Sequence, residues 1–372
     1  MPALRTQVGI IGAGPAGLFL AHLLHRAGIA SVIVETRTRA DVESTIRAGM
    51  LEDWVVRLLR EMGLAERLNR EAHFHDGVTL QVGEVRQHLD LAGLTGGKQV
   101  TIYAQHEVLK DLIAARLADG GEVLFEAHVA ALDGIEGDSP AIHFNQAGAA
   151  HLLKCDFIVA ADGFHGPGRH AIPEAARREY HKVYPFGWLG ILCHAPRSWP
   201  ELIYARHEEG FALLTTRSDT IQRLYIQCDP ADAIEAWPDA RIWDALHRRL
   251  AAPGWSLAEG AIFQKGIIPL RSFVCETMRH GRLFLAGDAA HIVPPTGAKG
   301  LNLAVADVRV LAQGLERFFA RGDATGLETY AETALARIWK GERFSWWMTT
   351  MLHRDPAESA FEHRIHAADL AY

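Results

Sequence analysis

The segment GAGPAG at residues 12–17 has the residue types and spacing of a phosphate-binding turn. It follows a short apolar run and opens a stretch with helical spacing, and an acid, Glu35, ends the next apolar run. Gly12 allows the tight turn, Gly14 lets a diphosphate approach the backbone, and Gly17 lets helix and strand pack closely. The helix N-terminus would offer amide groups to the phosphates. The sequence therefore predicts a dinucleotide site, with Glu35 accepting from ribose hydroxyls.

Two later segments add a carboxylate at the end of a predicted strand. Asp162 follows the apolar run CDFIVA, and Asp288 follows RLFLA within GDAAHIVPPTGAKGLN at residues 287–302. A carboxylate in this position can accept from sugar hydroxyls in the crevice outside the sheet. The residues after Asp288 would lay backbone amides at a helix start, where the helix dipole favours an anionic ligand.

The three motifs, in this order along the chain, resemble those of the class A flavoprotein aromatic hydroxylases. The resemblance covers essentially the whole chain, and it extends to segments YPFGWLG (184–190), LIYA (202–205), GFAL (210–213), PLRSF (269–273) and RFSWWMT (343–349). It implies an enzyme of aromatic catabolism that uses FAD, O2 and NADH or NADPH. The implied reaction is hydroxylation of 4-hydroxybenzoate at C3 through a flavin C4a-hydroperoxide, which yields 3,4-dihydroxybenzoate.

Two alternatives stay open at this point. One is an enzyme of the same fold that acts on another aromatic acid, such as 3-hydroxybenzoate or 4-aminobenzoate. The other, from a different class, is a flavin-bearing binding protein without turnover. Substrate-stimulated oxidation of the nicotinamide donor would separate the second alternative from an enzyme.

The resemblance also implies which residues hold FAD and the donor. Asp288 is expected on the ribityl chain and Asn302 near the flavin ring. Arg223 is expected beside the flavin, where a cation stabilises the negative reduced form. The residues implied in FAD binding are Gly12, Gly14, Gly17, Glu35, Arg47, Gln105, Asp162, Asp288, Asn302 and Arg223. Those implied in NAD(P)H binding are His165, Arg169 and Arg271.

The substrate carboxylate is expected on Arg217, which matches the family's carboxylate-binding position. A planar cation with two parallel donors suits a carboxylate. Thr215 and Tyr225 would add hydroxyl donors, and Thr215 stands where the family usually has a serine.

At the other end of the substrate, Tyr204 matches the tyrosine that contacts the phenol. It would pass the phenolic proton outward and so make the ring more nucleophilic. The Pro295 carbonyl is expected to hold the substrate hydroxyl. His75 matches the outer end of the relay, where titration near neutrality would suit exchange with solvent. The family relay includes a second tyrosine near the C-terminus, and Tyr372 does not align with it.

The donor-selective region departs from the family pattern. Members strict for NADPH carry an arginine after the strand-end acid and a tyrosine a few residues later, whereas this chain has Thr36 and Asp41. Thr45 also replaces an arginine. A carboxylate at position 41 would repel a 2′-phosphate, although Arg37 and Arg39 remain nearby. We therefore expect NADH to be used at least as well as NADPH.

The elements that must position these residues form an α/β fold. Residues 7–11 and 31–35 read as strands on either side of a helix at 15–27, and a right-handed crossover makes them parallel neighbours. Further strands near 155 and 284 would complete a Rossmann-like FAD-binding domain. We predict this domain at 1–175, completed by about 268–300. An inserted antiparallel β-sheet substrate domain would occupy 176–267, and a C-terminal helical or interface region 301–372.

Bulk composition limits the partners. The chain has 372 residues and a formal net charge of −7, which gives no support to nucleic-acid binding. The four cysteines are far apart, and no His/Cys cluster has metal-ligand spacing, so we expect no metal and free thiols in a reducing compartment. No apolar run approaches the ~18 residues of a membrane span, and no signal peptide is recognisable. These features favour a cytoplasmic protein, and the resemblance favours a homodimer.

Overall fold

A computed structural model describes residues 4–47 and 49–371. The strands are β1 (Leu4–Arg5), β2 (Val8–Ile11), β3 (Ser31–Val34), β4 (Met50–Glu52), β5 (His73–His75), β6 (Gly77–Val82), β7 (Val85–Asp90), β8 (Val100–Ile102), β9 (Glu122–Leu124), β10 (His128–Asp133), β11 (Ala141–Gln146), β12 (Ala149–Lys154), β13 (Phe157–Ala160), β14 (Glu179–His194), β15 (Ile203–Arg206), β16 (Ala212–Ser218), β17 (Ile221–Cys228), β18 (Ala261–Cys275), β19 (Arg279–His280), β20 (Leu283–Leu285) and β21 (His291–Ile292).

The helices are α1 (Pro15–Arg26), α2 (Arg39–Ser44), α3 (Asp53–Glu61), α4 (Glu66–Glu71), α5 (Leu91–Thr95), α6 (Gln105–Ala118), α7 (Pro167–His170), α8 (Asp239–Arg249), α9 (Gly300–Arg321), α10 (Thr325–Glu328), α11 (Tyr330–Leu352) and α12 (Ala360–Ala371). Two 3-10 turns, Gly287–Ala289 and Pro295–Gly297, lie between β20 and α9.

A six-stranded sheet in the order β19-β20-β13-β2-β3-β9 forms the first layer. Its strands β20, β13, β2, β3 and β9 run parallel, and only β19 is antiparallel to its neighbour. Strands β2, β3, β13 and β20 are buried along their whole length, which explains why they read as continuous apolar runs. Helix α1 packs against α6 and α9 beside this sheet.

The second layer is an eight-stranded sheet in the order β21-β18-β14-β17-β16-β15-β6-β7. One face buries aliphatic side chains such as Ile191 and Leu224 against Trp243 and Leu246 of α8. The other face carries a cluster rich in aromatic side chains, which includes Leu352 at the end of α11. Alternation along each strand sends neighbouring residues to opposite faces, so the sheet separates an aliphatic core from a buried aromatic cluster.

Strand pairing crosses the boundary predicted at residue 175. The hairpin β6–β7 lies within the predicted FAD-binding segment, yet β6 pairs in parallel with β15 and extends the eight-stranded sheet. Its alternating burial indicates a half-buried strand but does not identify the partner strand. β6 pairs with β15 because the backbone groups along the edge of β15 need hydrogen-bond partners, and no neighbouring hairpin in the sequence supplies them.

The C-terminal helices close the structure around the two sheets. The buried guanidinium of Arg206 donates to the carbonyls of Met351 (2.6 Å) and His353 (2.9 Å) and to Glu358 (3.0 Å). This side chain therefore anchors the link between α11 and α12 to β15. Tyr372, considered above, lies outside the described residues.

Three further observations concern the described part of the chain as a whole. None of its helices is both long and apolar enough to cross a membrane. Within residues 4–47 and 49–371, no three histidine, cysteine or acidic side chains are grouped so as to hold a metal ion. The four cysteines are buried and free.

Candidate active site

Four neighbouring parallel strands end at one edge of the first sheet, and each end carries a residue predicted to bind FAD. The glycine turn at 12–17 follows β2, Glu35 follows β3, Asp162 follows β13, and Asp288 follows β20. The carboxyl edge of a parallel sheet is where such folds bind ligands. The fold thus brings together segments that are far apart in sequence, since 276 positions separate Gly12 from Asp288.

The three glycines of the turn meet different surroundings. Gly12 has φ +100°, and a Cβ there would overlap the carbonyl of Ala161. A Cβ on Gly17 would overlap the carbonyl of Gly12. For Gly14, the nearest atom to such a Cβ is the Ala161 carbonyl oxygen at 4.0 Å. The fold itself therefore requires glycine at 12 and 17, whereas the space beside Gly14 is open to a ligand.

Glu35 is 3% exposed and braces this turn. One carboxylate oxygen accepts from the Ala13 amide (2.7 Å), and the other accepts from the amide (3.0 Å) and Nε (2.9 Å) of Arg37. Helix α1 begins with Pro15 and has no side-chain cap in the described structure. Its first amides therefore stay free to bind phosphate oxygens.

We predict that Gly14→Ala and Gly17→Ala fail in different ways. Gly14→Ala should leave the unfolding free energy of the FAD-free protein within about 0.5 kcal/mol of wild type and weaken FAD binding by about 100-fold (~2.7 kcal/mol), because the methyl occupies the diphosphate approach. Gly17→Ala should lower the unfolding free energy by about 1–3 kcal/mol through overpacking. Chemical denaturation and FAD titration measure both. Equal behaviour of the two variants would contradict the assignment.

Asp162 caps the short turn that follows β13. One carboxylate oxygen accepts from the Gly168 amide at 2.7 Å, while the other is shielded from solvent and has no partner in the described part of the chain. Burial raises the pKa of Asp162 to about 6. A Cβ on Gly166 would overlap this side chain. The aspartate is thus packed in place with one oxygen left for a ligand hydroxyl.

Asp288 lies just beyond the end of β20. Its side chain is 47% exposed and lies 3.8 Å from the Arg47 guanidinium. Protein surrounds the carboxyl closely enough that desolvation raises its pKa, while Arg47 and His291 act in the opposite direction. An exposed acceptor at this position is what a polyhydroxyl chain requires.

The loop before α9 is held by side chains rather than by regular structure. The buried Asn302 accepts from the Glu52 amide (2.9 Å) and donates to the carbonyls of Met50 (3.0 Å) and Ala298 (3.1 Å). Lys299 pairs with Glu52 at 2.7 Å. The Asn302 amide therefore joins β4 to the start of α9, and it would act on a flavin by positioning the loop.

The chain segments that contain Arg47 and Gln105 approach each other closely at Gly49. The Tyr103 amide donates to the Gly49 carbonyl at 2.9 Å, and a Cβ on Gly49 would lie 2.6 Å from the Gln105 nitrogen. Gln105 opens α6 and is half-buried. The residues present thus fit FAD: the space beside Gly14 is open, one Asp162 oxygen has no partner in the described residues, and the Asp288 carboxylate is partly exposed.

The predicted substrate residues lie on adjacent strands of the second sheet. Tyr204 on β15 is directly opposite Leu213 on β16, which is directly opposite Tyr225 on β17. Thr215 is likewise opposite Arg223. Both tyrosines are buried, at 6% and 5% exposed, and burial raises the pKa of each phenol. The register alone therefore aligns these side chains on the aromatic face of the sheet.

Arg217 follows on the same strand, at an irregularity in the pairing of β16 with β17 between Thr216 and Ser218. Its guanidinium donates to the Arg47 carbonyl at 2.9 Å, which joins the predicted substrate and FAD residues. Burial is the main cause that lowers the pKa of Arg217 to about 10, and the charge of Arg223 adds to it. Arg217 therefore remains a cation at neutral pH. Two cations held together in this way favour an anionic ligand.

Several polar atoms near these arginines have no partner in the described residues. They are Thr215 Oγ1, Arg223 Nη1 and His106 Nδ1, all shielded from solvent. Burial, and then the charge of Arg217, lower the pKa of His106. Sequence reasoning did not single out His106, and its position after Gln105 carries no distinguishing signal. Unpaired buried polar groups are costly, and a polar ligand would satisfy them.

The Tyr204 hydroxyl donates to the Thr296 carbonyl at 2.9 Å. Thr296 was not predicted, because the resemblance pointed to its neighbour Pro295. The Pro295 carbonyl accepts from the Ala298 amide at 2.9 Å within a 3-10 turn, so one of its two lone pairs is left for a substrate. The Thr349 hydroxyl donates to the Thr296 hydroxyl at 2.9 Å and ties the loop to α11.

The expectation that His75 titrates near neutrality is wrong for this structure. His75 is 2% exposed, and neither ring nitrogen has a partner in the described part of the chain. Burial lowers its pKa to about 4, because desolvation penalises the charged imidazolium. Any role in proton transfer would therefore use the neutral ring.

The lowered pKa of His75 predicts how the stability of the protein changes with pH. The unfolded chain protonates this histidine near pH 6.5 and the folded chain only near pH 4, so the unfolded state binds more protons in between. His75 should therefore reduce stability as pH falls through this window. We expect His75→Gln to lose less thermal stability than wild type between these pH values. His165→Gln, at an exposed site, is the control. An equal loss of thermal stability in wild type and His75→Gln as the pH falls would contradict the prediction.

The three residues predicted to serve NAD(P)H have different environments. Arg169 is 3% exposed, and it donates to the carbonyls of Ala289 (3.2 Å) and Phe164 (2.9 Å) and pairs with Glu179 (3.1 Å). Direct binding of a nucleotide phosphate by Arg169 is therefore not supported. The buried guanidinium already donates hydrogen bonds to backbone carbonyls, including that of Phe164 in the loop between β13 and β14.

His165 and Arg271 remain accessible beside Phe164. His165 is exposed and contacts the Phe164 ring edge-on at 4.9 Å between centroids. The half-buried Arg271 guanidinium lies 5.0 Å from the same ring. These two side chains are placed where a ligand can reach them.

Comparison with known proteins agrees with this geometry. A family model described as "FAD binding domain" matches residues 5–345. The p-hydroxybenzoate hydroxylase of Acinetobacter baylyi is 46% identical over 100% of this chain and 92% of its own length. A probable NADH-specific resorcinol 4-hydroxylase of Rhodococcus jostii is 27% identical over 87% of this chain, which spans 61% of that protein. The structure of p-nitrophenol 4-monooxygenase from Pseudomonas putida superposes with a TM-score of 0.83 at 20% identity, over 100% of this chain and 96% of that one, which shows a shared fold.

The chain therefore belongs to the class A FAD-dependent aromatic hydroxylases. FAD is its cofactor, and a reduced nicotinamide nucleotide is its electron donor. The predicted fold class is confirmed. The chain is a flavoprotein hydroxylase, so the alternative of a flavin-bearing binding protein without turnover is wrong.

Proposed function

We propose that this flavoprotein hydroxylates 4-hydroxybenzoate at C3 to give 3,4-dihydroxybenzoate. The proposal takes its support from the 46% identity to p-hydroxybenzoate hydroxylase along the whole chain. It also draws on the substrate face described above, whose two ends differ in the way that this substrate requires. O2 would supply the inserted oxygen atom, and the nicotinamide donor the two electrons that reduce the second oxygen atom to water.

One observation carries the choice of substrate class. The buried Tyr204 lies on β15, and Arg217 lies on the neighbouring strand β16, close enough to Arg223 and Tyr225 to interact with their charges. Arg217 comes four positions after Leu213, the cross-strand partner of Tyr204, which corresponds to at most about 13 Å of strand. A phenol hydroxyl and a cation at such a separation match an aromatic ring with a para hydroxyl at one end and a carboxylate at the other.

The residues would divide the work as follows. Arg217 binds and orients the carboxylate, with Thr215 and Tyr225 donating hydrogen bonds. The Tyr204 hydroxyl donates to the Thr296 carbonyl, so its oxygen can accept a hydrogen bond from the substrate phenol. This bond draws the phenolic proton away from the ring oxygen, so that the ring becomes phenolate-like and more nucleophilic. Bound FAD supplies the redox chemistry that activates oxygen. The aromatic face excludes water from the ring.

A product assay tests the proposal. The FAD-loaded protein is given NADH or NADPH and a panel of benzoates, and both donor oxidation and products are scored. We expect 4-hydroxybenzoate to stimulate donor oxidation and to appear as 3,4-dihydroxybenzoate in nearly equal amounts. Preferred conversion of 3-hydroxybenzoate or 4-aminobenzoate would instead support the alternative substrate. Oxidation that yields peroxide without a hydroxylated product would overturn the proposal.

We further propose that NADH serves at least as well as NADPH. Arg37 is paired with Glu35 and Arg39 with Glu43 (2.6 Å), so both remaining arginines already have carboxylate partners. The N-cap residue of α2, Thr38, accepts from the Asp41 amide and donates to the Asp41 carboxylate, which adds a negative charge there. A 2′-phosphate would meet few free cations.

Steady-state kinetics with both donors provide the test. We expect kcat/KM for NADH to equal or exceed that for NADPH. Asp41→Asn should improve NADPH use more than NADH use, and Asp53→Asn, at an acid on α3, is the control. A preference of about 100-fold for NADPH in the wild type (~2.7 kcal/mol) would contradict this proposal.

The homodimer and the cytoplasmic location also remain proposals. The dimer is supported by the family resemblance, and the location by the cysteine usage, with four buried free thiols. Sedimentation of the FAD-loaded protein would detect a dimer. A concentration-independent monomer would contradict that part of the proposal.

A further inference from the structure

A cavity of about 330 Å³ lies between the start of β14, the end of β18 and the helix α11. None of its lining residues is assigned to FAD, to the donor or to the substrate, although Ser272 directly follows Arg271 and Phe273 contacts the Phe164 ring. Its lining consists of Tyr180, His181, Lys182, Ser272, Phe273, Val274, Trp339, Glu342, Arg343 and Trp346. The volume is at the small end of ligand-binding pockets and suits a single-ring molecule.

Aromatic rings form the walls of this cavity. Trp339 and Trp346 lie seven residues apart on one face of α11, and Tyr180 stands opposite on β14. These three side chains are 41%, 46% and 46% exposed respectively. The Tyr180 and Trp339 rings meet edge-on at 5.6 Å between centroids, and Trp339 Nε1 donates to Glu276 at 3.0 Å. The wall is therefore held in place and offers flat apolar surfaces to a ring.

A buried carboxyl lies among the lining residues. Glu342 is 5% exposed, and one of its oxygens has no hydrogen-bond partner in the part of the chain that the structure describes. Burial raises its pKa to about 7, although Ser272 and the Phe273 backbone lower it in part. An unsatisfied buried acceptor is costly, and a hydroxyl or amino group of a ligand would relieve that cost.

Two cations complete the lining. Lys182 and Arg343 are exposed side chains on β14 and α11. Lys182 Nζ lies 5.4 Å from the Tyr184 ring centroid, so its charge is held near the sheet surface. Arginine and lysine at the mouth of an apolar cavity favour a carboxylate, which Arg can bind with two parallel hydrogen bonds.

We propose that this cavity binds a hydroxylated or aminated single-ring aromatic acid, with its ring against Tyr180, Trp339 and Trp346. The carboxylate of the ligand contacts Lys182 and Arg343, and its ring hydroxyl or amine donates to Glu342. The ligand class follows from the cavity and does not depend on the proposed substrate. Where both proposals hold, substrate or product occupies a second site outside the active site.

Binding stoichiometry tests the proposal on the FAD-loaded protein. With 4-hydroxybenzoate and 3,4-dihydroxybenzoate as probes in equilibrium dialysis, we expect two molecules bound per chain. Trp346→Ala and Arg343→Gln should each weaken the second site by about 10-fold or more (~1.4 kcal/mol) and leave the first unchanged. The matched controls are Trp347→Ala, whose side chain is outside the cavity lining, and Arg317→Gln on α9. One molecule per chain in the wild type would overturn the proposal, as would a second site that Trp346→Ala and Arg343→Gln leave unchanged.

A second measurement isolates the role of Glu342. Benzoate lacks the ring hydroxyl, so it should bind the second site more weakly than 4-hydroxybenzoate in the wild type, and Glu342→Gln should shrink that difference. An undiminished difference would remove Glu342 from the proposal. Arg217→Lys should weaken only the first site. The product assay separately decides the proposed function, so failure of one proposal is distinguishable from failure of the other.

Discussion

Arg217→Lys should weaken binding of 4-hydroxybenzoate by about 30- to 150-fold (~2–3 kcal/mol) while FAD stays bound. Lysine keeps the charge but loses the planar fork that binds a carboxylate with two parallel hydrogen bonds. It also loses the bond from Arg217 to the Arg47 carbonyl, 2.9 Å in the structure, that fixes the guanidinium. Titration of the flavin absorbance with ligand measures the affinity directly.

The matched controls for Arg217→Lys separate charge recognition from general damage. Arg57→Lys changes an exposed arginine on α3 that pairs with Asp53 at 3.1 Å, and it should leave the affinity unchanged. Phenol, which lacks the carboxylate, should bind wild type and Arg217→Lys equally. A dissociation constant for 4-hydroxybenzoate within about threefold of wild type (~0.7 kcal/mol) would show that Arg217 is not the carboxylate anchor.

Tyr204→Phe should lower the rate of hydroxylation by about 100- to 1000-fold and change substrate affinity little, because general acid–base catalysis contributes on this scale. The variant removes the hydroxyl that donates to Thr296 but keeps the ring that packs in the aromatic cluster. Donor oxidation should continue with less product formed per donor consumed. The deficit should shrink as the pH rises, since more of the substrate is then ionised without help from Tyr204.

Tyr184→Phe is the control for this change. Tyr184 is buried in the same aromatic cluster, but its hydroxyl contacts Ser272 at 3.2 Å rather than the loop at Thr296. It should retain the wild-type rate of hydroxylation and the wild-type yield of product per donor. Equal losses in the two variants would mean that packing, and not proton transfer, explains the effect of Tyr204→Phe.

Local pattern was enough to predict the nucleotide-binding half of the fold. The run before the glycine turn, the helix at Pro15–Arg26 and the strand Ser31–Val34 follow from apolar runs and glycine positions. These signals are local, because a buried parallel strand is apolar along its length and a phosphate-binding turn needs glycine at defined positions. The order of the three motifs then indicated the flavoprotein family, which the comparisons confirm.

The parts that local pattern missed depend on distant segments. The β6–β7 hairpin joins the second sheet through β15, more than a hundred residues later. The salt bridge between Lys299 and Glu52 joins residues 247 positions apart. The expected neutral titration of His75 was wrong because burial, which no local sequence feature reports, sets its pKa. The functional assignments of the site residues remain predictions.

The sequence by itself determined the cofactor class, the family and the residue types needed for an aromatic acid, because glycine spacing and charged side chains carry chemistry wherever they lie. Only the tertiary structure decided which of these groups are free to act. In the structure, Arg169 is bound to the Phe164 carbonyl, the Tyr204 hydroxyl donates to the Thr296 carbonyl, and a cavity lies beside Glu342. The physical reason is that burial and hydrogen-bond satisfaction are set by contacts between segments far apart in the chain.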